Sequence, residues 1–470
     1  MTSIYVALII YLVILFAVGI YYSKKNATIS DFLLAGKSLG VIAATLTISA
    51  SLFGGGLLTG TAQKAYNSGP MMYVYGIFGS GFGLLLASFL VKKMKDFSNF
   101  GTITEYLETR YNSKFLRSAS AFLSMVALIA LVGSQVGAAV GIMNALGMKN
   151  TTIAALFACI VIIALTSMGG LMAVTVTDGF QIILVMVGVV WITVAALGDI
   201  GGLSGLNASL TAIQSELPEG YNVFMDSEKF KSLLWMILPG LMYIMIGQDI
   251  YQRLFACKDH KTAIKASVCS AVLVCIVSVM PVTLGLIARV KHPELATAGT
   301  FATIAMSTLP GWAVGIIIAA ALSAIFSTAD SCLSAAASHF MTDLYLPYIG
   351  KNVDTKDRRL VTISRAFTVI AGLAAVGVSM LLPTILDGCF YAYYIYTSGV
   401  FCPIVFGVFW KKATKQGAIA GLLAGGLFMM YALLTGFSVA GIGGELLSGI
   451  VSAIVLVVVS LATQPKKTAA

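Results

Sequence analysis

Oxygen-bearing side chains lie inside one of the most apolar parts of the chain, the stretch SAIFSTADSCLSAA from Ser323 to Ala336. The residues that would share one face of a helix, at spacings i, i+3, i+4 and i+7, are Ala324, Ser327, Thr328 and Ser331. Asp330 borders that face, and a patch of hydroxyls with a carboxylate suits a hard cation. Hydroxyls that bond to carbonyls of their own helix are the alternative, but they leave the cost of the Asp330 charge in an apolar segment unexplained.

A run of three glycines, Gly54–Gly56, interrupts a second apolar segment, SASLFGGGLLTGTA. Glycines in a membrane helix favour unwinding, and unwound backbone is tolerated where it lines a cavity. The carbonyls freed at such a break can bind a cation. Close packing of helices by small residues is the alternative, and the glycines alone do not decide between the two.

Another oxygen-rich group, AVTVTDGFQ, contains Thr175, Thr177, Asp178 and Gln181. The alternative for this group is a helix N-terminal cap near the cytoplasmic surface, which the preceding TSMGG supports. If Asp178 and Asp330 approach one another, both stay ionised only beside a positive partner. A cation between them would supply that partner, and a shared proton would instead remove one of the two charges.

The composition shows which elements must position these groups. The chain has 470 residues, of which 59% are hydrophobic and 10% are charged, whereas a soluble domain has about 25% charged residues. Long apolar runs recur, which predicts a polytopic membrane protein. The chain has a net charge of +10, and its lysines and arginines lie between those runs, as in cytoplasmic membrane loops. Nucleic acid is therefore not an expected partner. The seven cysteines and three histidines show no spacing typical of disulfides, metal sites or nucleophiles, so enzyme chemistry is not expected.

The apolar runs predict an all-α fold with thirteen transmembrane helices in one domain, 1–470, surrounded by the lipid bilayer. The predicted spans are 3–22, 39–66, 70–92, 118–147, 152–168, 171–197, 232–256, 264–288, 311–343, 361–382, 384–410, 417–436 and 445–463. With the N-terminus outside and the C-terminus inside, 23 of the 29 lysines and arginines are cytoplasmic, Arg253 among them. The positive-inside rule therefore predicts this orientation, in a cell membrane that we expect to be bacterial.

At these motifs the chain resembles the sodium/solute symporter family, whose members include proline, sialic acid, galactose and choline transporters. The stretches that carry the resemblance run from Asp31 to Gly426 and are DFLLAGKSLG, GGLMAVTVTDGFQ, GQDIYQRLFACKD, SAIFSTADS and GVFCPIVFGVFWKKATKQGAIAGLLAGG. The resemblance implies the leucine-transporter-type fold, with inverted five-plus-five repeats at 39–197 and 232–410. It also implies one extra helix before them, 3–22, and two after them, 417–463. The choline-transporter branch, which shares Asp330 and a pattern like GGGLLTGTA, is the most similar that we can name.

The resemblance also implies cation sites. The main sodium site falls on the carbonyls of Ala50, Phe53 and Ala324 and on the side chains of Ser327 and Thr328. Some members hold a second cation, and that site falls on Asp178, Ser327, Asp330 and Ser331, although several members have serine at the position of Asp330. The family therefore implies one or two sodium ions that are carried together with a solute.

The substrate is predicted only as a small polar organic solute. The candidate contacts are Gln135, Tyr73, Gln248, Asp249, Tyr243 and Tyr394. Asp249 would suit an amine, although GQD is equally consistent with a structural role at a helix break. The tryptophans that the choline branch supplies are replaced by Leu52 and Gly247, so choline is not the expected preference.

The expected function is sodium-coupled import by alternating access, by a protein that works as a monomer. The alternatives are a proton-coupled symporter of the same fold, an uncoupled uniporter or channel, and a sensor-type membrane domain. A sensor would be expected to carry a signalling domain, whereas this sequence closes on TQPKKTAA.

Overall fold

The computed structural model describes residues 2–23, 28–94, 97–295, 299–351, 353–382 and 384–464. Residues 465–470, which form most of the C-terminal tail, lie outside the described residues. The described chain is almost entirely helical, as expected where a bilayer leaves backbone groups no water to bond. One short antiparallel hairpin pairs β1 (Ser438–Val439) with β2 (Ile442–Gly443).

The helices divide by chain order into a first and a second half. Those of the first half are α1 (Thr2–Ser23), α2 (Ile29–Leu34), α3 (Val41–Leu52), α4 (Thr61–Ser68), α5 (Met72–Gly76), α6 (Phe82–Lys93), α7 (Ile103–Tyr111), α8 (Lys114–Ala145), α9 (Thr151–Asp199) and α10 (Gly202–Ala212). Those of the second half are α11 (Ser227–Ile246), α12 (Gln248–Phe255), α13 (His260–Val277), α14 (Val279–Lys291), α15 (Thr300–Thr308), α16 (Gly311–His339), α17 (Leu346–Tyr348), α18 (Arg358–Ser379), α19 (Ile385–Phe409), α20 (Lys415–Thr435) and α21 (Gly444–Ala462). Short 3₁₀ turns (Ala35–Lys37, Phe97–Asn99, Gln214–Glu216) and π-helical turns (Gly56–Gly60, Ile77–Gly81, Phe340–Tyr345) connect or extend them.

Within the described ranges, eleven helical segments are long and apolar enough to cross a membrane, and the bent pair around Gly54 makes a twelfth. These twelve correspond to the second to thirteenth predicted spans. The first predicted span, 3–22, corresponds to α1, a helix of 22 residues from Thr2 to Ser23. α9 is one continuous helix of 49 residues in the hydrogen-bond pattern, but Gly170 turns the chain there (φ 59°) and divides it into the two spans expected at 152–168 and 171–197.

Two spans are broken in the middle. α3 ends at Leu52, and the chain continues from Gly56 at an angle of 52°. α11 and α12 are separated by Gly247, which has an extended conformation (φ −66°, ψ 129°). Each break lies in the first helix of one predicted repeat, 39–197 or 232–410. Carbonyl and N–H groups that a continuous helix would use are therefore available inside the protein at both points.

The helix that carries the opening motif, α16, lies at the centre of the molecule. Nearly all of its residues from Ala313 to His339 are buried, and it packs against α1, α3, α8 and α9. Its many alanines and serines allow this close approach of neighbouring backbones. The last two helices, α20 and α21, pack on each other and on α19, away from this centre.

Candidate functional site

The main candidate cation site lies where the break after α3 meets the hydroxyl face of α16. The Ser327 hydroxyl is 3.1 Å from the Ala50 carbonyl oxygen and 3.0 Å from the Ala324 carbonyl oxygen. The Thr328 hydroxyl is 3.2 Å from the same Ala50 oxygen. Four of the five predicted ligand oxygens therefore meet in one place, and the fifth belongs to Phe53, the residue at which α3 stops.

Gly54 is required for this meeting because of space. A Cβ atom added to Gly54 would lie 2.2 Å from Thr328 Oγ1 and 2.9 Å from Gln135 Oε1. Real Cβ atoms do not approach oxygen so closely, so any larger residue would displace Thr328. The glycines of the break thus serve both interpretations of the sequence, because they unwind the helix and let α16 pack against it.

Asp178, predicted for a second cation, has an arginine as its neighbour. Arg253 Nη2 is 3.3 Å from Asp178 Oδ2, and both side chains are fully buried. The Thr47 hydroxyl donates to the same carboxylate oxygen. Asp178 Oδ1 is buried without a hydrogen-bond partner among the described residues. Because Asp178 lies well inside its span, the helix-cap alternative for this motif is wrong.

Arg253 holds several elements together. Its Nε donates to the Thr47 hydroxyl (2.8 Å), its Nη1 to the Asp249 carbonyl (2.8 Å), and its Nη2 also to the Ser331 hydroxyl. The sequence places Arg253 among the cytoplasmic loop charges, and that assignment is wrong. Its position four residues after Asp249, inside the predicted span 232–256, is the signal, because an arginine at membrane depth needs carboxylates or carbonyls around it.

Asp330 and Asp178 have different partners. The Thr166 hydroxyl donates to Asp330 Oδ1 over 2.7 Å, whereas Asp178 pairs with Arg253. Ser331, the third residue predicted for this site, accepts from Arg253 and lies 3.0 Å from the Ser51 hydroxyl of α3. The sharing of one cation by the two carboxylates stays a prediction.

A small cavity of about 30 Å³ lies beside the main cation site, between the two helix breaks. The predicted solute contacts that line it are Gln135, Tyr243 and Asp249. Ser51, Gly54 and Thr328 also line it, so the cavity and the candidate cation site share a wall.

The other three predicted solute contacts lie elsewhere, and each has its own partner. The Tyr73 hydroxyl is 2.9 Å from Thr283 Oγ1, and the Tyr394 hydroxyl donates to the Trp235 carbonyl (2.8 Å). Gln248 Oε1 accepts from the Ile103 N–H (2.9 Å). These three side chains do not line the cavity in this conformation.

Two tyrosines that the sequence does not single out as contacts do line the cavity, Tyr75 and Tyr393. Each is close in sequence to a predicted contact, at positions 73 and 394. The aromatic character of both segments therefore indicates a cavity wall in the sequence. The prediction of Tyr73 and Tyr394 as contacts is wrong for this conformation because it chooses the other face of each helix. Tyr393 stacks on Tyr243 with ring centroids 4.5 Å apart and an interplanar angle of 28°.

Gln135 links the cavity to the break in the helix. Its Oε1 accepts a hydrogen bond from the Gly55 N–H over 2.7 Å. This bond satisfies a backbone donor that unwinding leaves without its helical partner. A solute that contacts the Gln135 amide would therefore also influence the backbone next to the cation site.

Comparison with known proteins gives a consistent result. The model of the sodium:solute symporter family matches residues 32–425. The sodium/glucose cotransporter of Vibrio parahaemolyticus is 28% identical over 90% of this chain and 83% of its own length. The sodium/pantothenate symporter of Escherichia coli strain K12 is 24% identical over 93% of this chain and 91% of its own. A solved structure of a Na⁺-coupled sialic acid symporter, substrate-bound and outward-open, superposes with a TM-score of 0.82 at 19% identity, over 98% of both chains.

Proposed function

The chain belongs to the sodium:solute symporter family, and from that premise we propose which residues bind the sodium and the solute. As a member it is a multi-pass membrane transporter that couples sodium to the movement of a small solute. We assign the main sodium site to the carbonyls of Ala50, Phe53 and Ala324 and the hydroxyls of Ser327 and Thr328. The observation that carries this assignment is the approach of both hydroxyls to the Ala50 carbonyl at the helix break.

These hydroxyls and carbonyls are suitable sodium ligands. Hard cations prefer oxygen ligands, and carbonyls at an unwound membrane helix are free to bind one. The two hydroxyls donate to carbonyls in this conformation, and a bound ion would turn their lone pairs inward in place of those hydrogen bonds. Binding would thus fix the end of α3 against α16.

The solute site is proposed at the cavity lined by Gln135, Tyr243 and Asp249. Because Thr328 is a proposed sodium ligand that also lines the cavity, with Gly54 packed against it, an ion and a solute would each favour the same arrangement of the break. Coupling of this kind is reciprocal, so sodium raises affinity for the solute and the solute raises affinity for sodium. The cavity must enlarge to admit an organic solute, and alternating access to the two sides of the membrane would do so.

A second coupled cation, either sodium or a proton, is proposed at Asp178, Asp330 and Ser331. The support is the buried Oδ1 of Asp178, which has no partner in the described part of the chain, together with a single guanidinium near these carboxylates. Asp178→Asn and Asp330→Asn should then be non-additive in their effect on ion dependence. A sodium Hill slope approaching two at fixed pH would indicate a second sodium, and a slope near one that shifts with external pH would indicate a proton.

Import into the cell, with the N-terminus outside, is the proposed direction in a bacterial plasma membrane, and the monomer is the proposed working unit. The test is uptake into proteoliposomes across labelled amino acids, amines, carboxylates and sugars, with and without an inward sodium gradient. Uptake of at least one solute that needs the gradient supports symport. Equal uptake without sodium would favour a uniporter, and uptake driven by a pH gradient alone would favour proton coupling.

A further inference from the structure

Among the described residues that line the solute cavity, the charged group is the carboxylate of Asp249. Its Oδ1 accepts a hydrogen bond from the Tyr243 hydroxyl over 2.8 Å, across the break at Gly247. An ionised carboxylate has about four acceptor positions and the Tyr243 hydroxyl occupies one of them, so acceptor positions remain for a ligand. Asp249 also lies in the first turn of α12, where the helix dipole favours a negative charge.

Among the described residues, the Arg253 guanidinium pairs with the Asp178 carboxylate and makes no direct ion pair with that of Asp249. The N–H groups of Arg253 are directed to Thr47, Asp178, Ser331 and the backbone carbonyl of Asp249. One positive side chain therefore stands among three buried carboxylates, those of Asp178, Asp249 and Asp330. A cationic solute at Asp249 would offset one of the two remaining negative charges.

The remaining wall of the cavity suits the same kind of ligand. The rings of Tyr75, Tyr243 and Tyr393 border it, and aromatic faces attract organic cations. An ammonium group with N–H donors can also hydrogen-bond to the Asp249 carboxylate, and such charge-assisted bonds are among the strongest in proteins. A quaternary nitrogen has no N–H and would use only the rings.

We propose that the transported solute carries a protonated primary or secondary amine, which donates to Asp249 and packs against Tyr243 and Tyr393. This inference rests on the proposed function, because it takes the cavity as the solute site. Asp249 is then the residue that selects amines over neutral or quaternary compounds of the same size.

The test compares matched compounds that differ only in the group presented to Asp249. One set is ethanolamine, choline and ethylene glycol, and the other is alanine, N,N,N-trimethylalanine and lactate. Binding is measured as thermal stabilisation of the purified full-length protein in sodium, and transport as uptake of the radiolabelled compound into proteoliposomes. The amine of at least one set should act at a concentration at least about tenfold lower than its two partners.

Asp249→Asn should remove this preference, and the exposed Asp354→Asn serves as the matched control that keeps it. Equal or stronger action of the quaternary or hydroxyl compounds, no response to either amine, or an unchanged preference in Asp249→Asn would overturn the proposal. The wild-type comparison decides the question by itself if Asp249→Asn does not fold.

The same assay separates this inference from the sodium assignment. Amine binding that persists when potassium replaces sodium would contradict sodium coupling and leave the amine site standing. Sodium-dependent binding of the hydroxyl compounds alone would contradict the amine site and leave sodium coupling standing.

Discussion

Arg253 makes the burial of Asp178 possible. Both side chains are fully buried and 3.3 Å apart at their closest atoms. Removal of one partner from a buried ion pair leaves an unpaired charge and costs about 3–5 kcal/mol, whereas an apolar or neutral pair can be tolerated. The pair therefore fixes α12 to α9, and through Thr47 to α3, whatever else the two residues do during transport.

We expect Asp178→Asn and Arg253→Met each to lower the thermal stability of the detergent-solubilised protein strongly. The double variant should be more stable than the sum of the two losses predicts, because it has no unpaired charge. The thermal unfolding midpoints of the wild type, the two single variants and the double variant form a double-mutant cycle. The surface variant Asp354→Asn is the control. Additive losses would show that the two side chains do not stabilise one another.

The residue-level predictions fail where a choice depends on three-dimensional neighbours. The sequence can show that Ser327, Thr328 and Asp330 share an apolar helix, because that follows from spacing alone. Spacing alone leaves Arg253 undecided, because an arginine near a span end is typical of a cytoplasmic loop, whereas its place inside the predicted span 232–256 favours the core. Adjacent helical residues point about 100° apart, so the choice between Tyr394 and Tyr393 needs the helix orientation.

The broken helix is the element on which the proposed sodium site depends. Gly54→Ala should weaken sodium binding strongly, because the added Cβ would lie 2.2 Å from Thr328 Oγ1 and displace a proposed ligand. Gly137→Ala, inside α8, is the matched control, since its Cβ would meet no atom of the described residues within 4 Å. The measurement is the sodium concentration for half-maximal uptake. Equal values for the two variants would mean that the close approach at Gly54 does not support a sodium site.

A contact between α4 and the start of α19 lies on the side predicted to face outward, next in sequence to Leu386, which lines the cavity. Lys64 Nζ is 3.2 Å from Asp387 Oδ1, with both side chains partly exposed. Ion pairs of this exposure contribute about 0–1 kcal/mol to stability. In the Lys64→Gln variant, the outer side of the protein should therefore open only a few-fold more often than in the wild type. Cys389 lines the cavity, so its rate of modification by an impermeant thiol reagent, with Cys389→Ser as background, reports the opening.

Lys64→Arg keeps the charge and should react at the wild-type rate. If Lys64→Gln also leaves the rate for Cys389 unchanged, the ion pair does not hold the outer side closed.

The whole molecule has a predicted orientation that can be tested directly. With the N-terminus outside, the exposed Asn207 in α10 faces the exterior and the exposed Lys356 before α18 faces the cytoplasm. In intact cells, Asn207→Cys should react with an impermeant thiol reagent, while Lys356→Cys should react only after permeabilisation. The reverse pattern would invert the topology and the assignment of inner and outer sides.

Most of the architecture is predictable because membrane spans are long and apolar. Twelve of the thirteen predicted spans correspond to candidate spans, and the remaining one, 3–22, corresponds to the helix α1, Thr2–Ser23. The position of the break after Leu52 also follows from Gly54–Gly56. The break at Gly247 is harder to place, because a single glycine in a helical pattern is common and only its neighbours Tyr243 and Asp249 give it a role.

The proposed sodium site lies where α3 breaks against α16, and the sodium concentration for half-maximal uptake is the measurement that tests it. Ser327→Ala and Thr328→Ala each remove one of five proposed ligands and change packing little. A lost bond to a charged partner costs about 1.5–3 kcal/mol, so each should raise the sodium concentration for half-maximal uptake at least about tenfold. Ser323→Ala, one turn earlier on the same helix, removes a buried hydroxyl outside the proposed ligand set and should leave that concentration unchanged. Unchanged sodium dependence in both Ser327→Ala and Thr328→Ala would contradict the account.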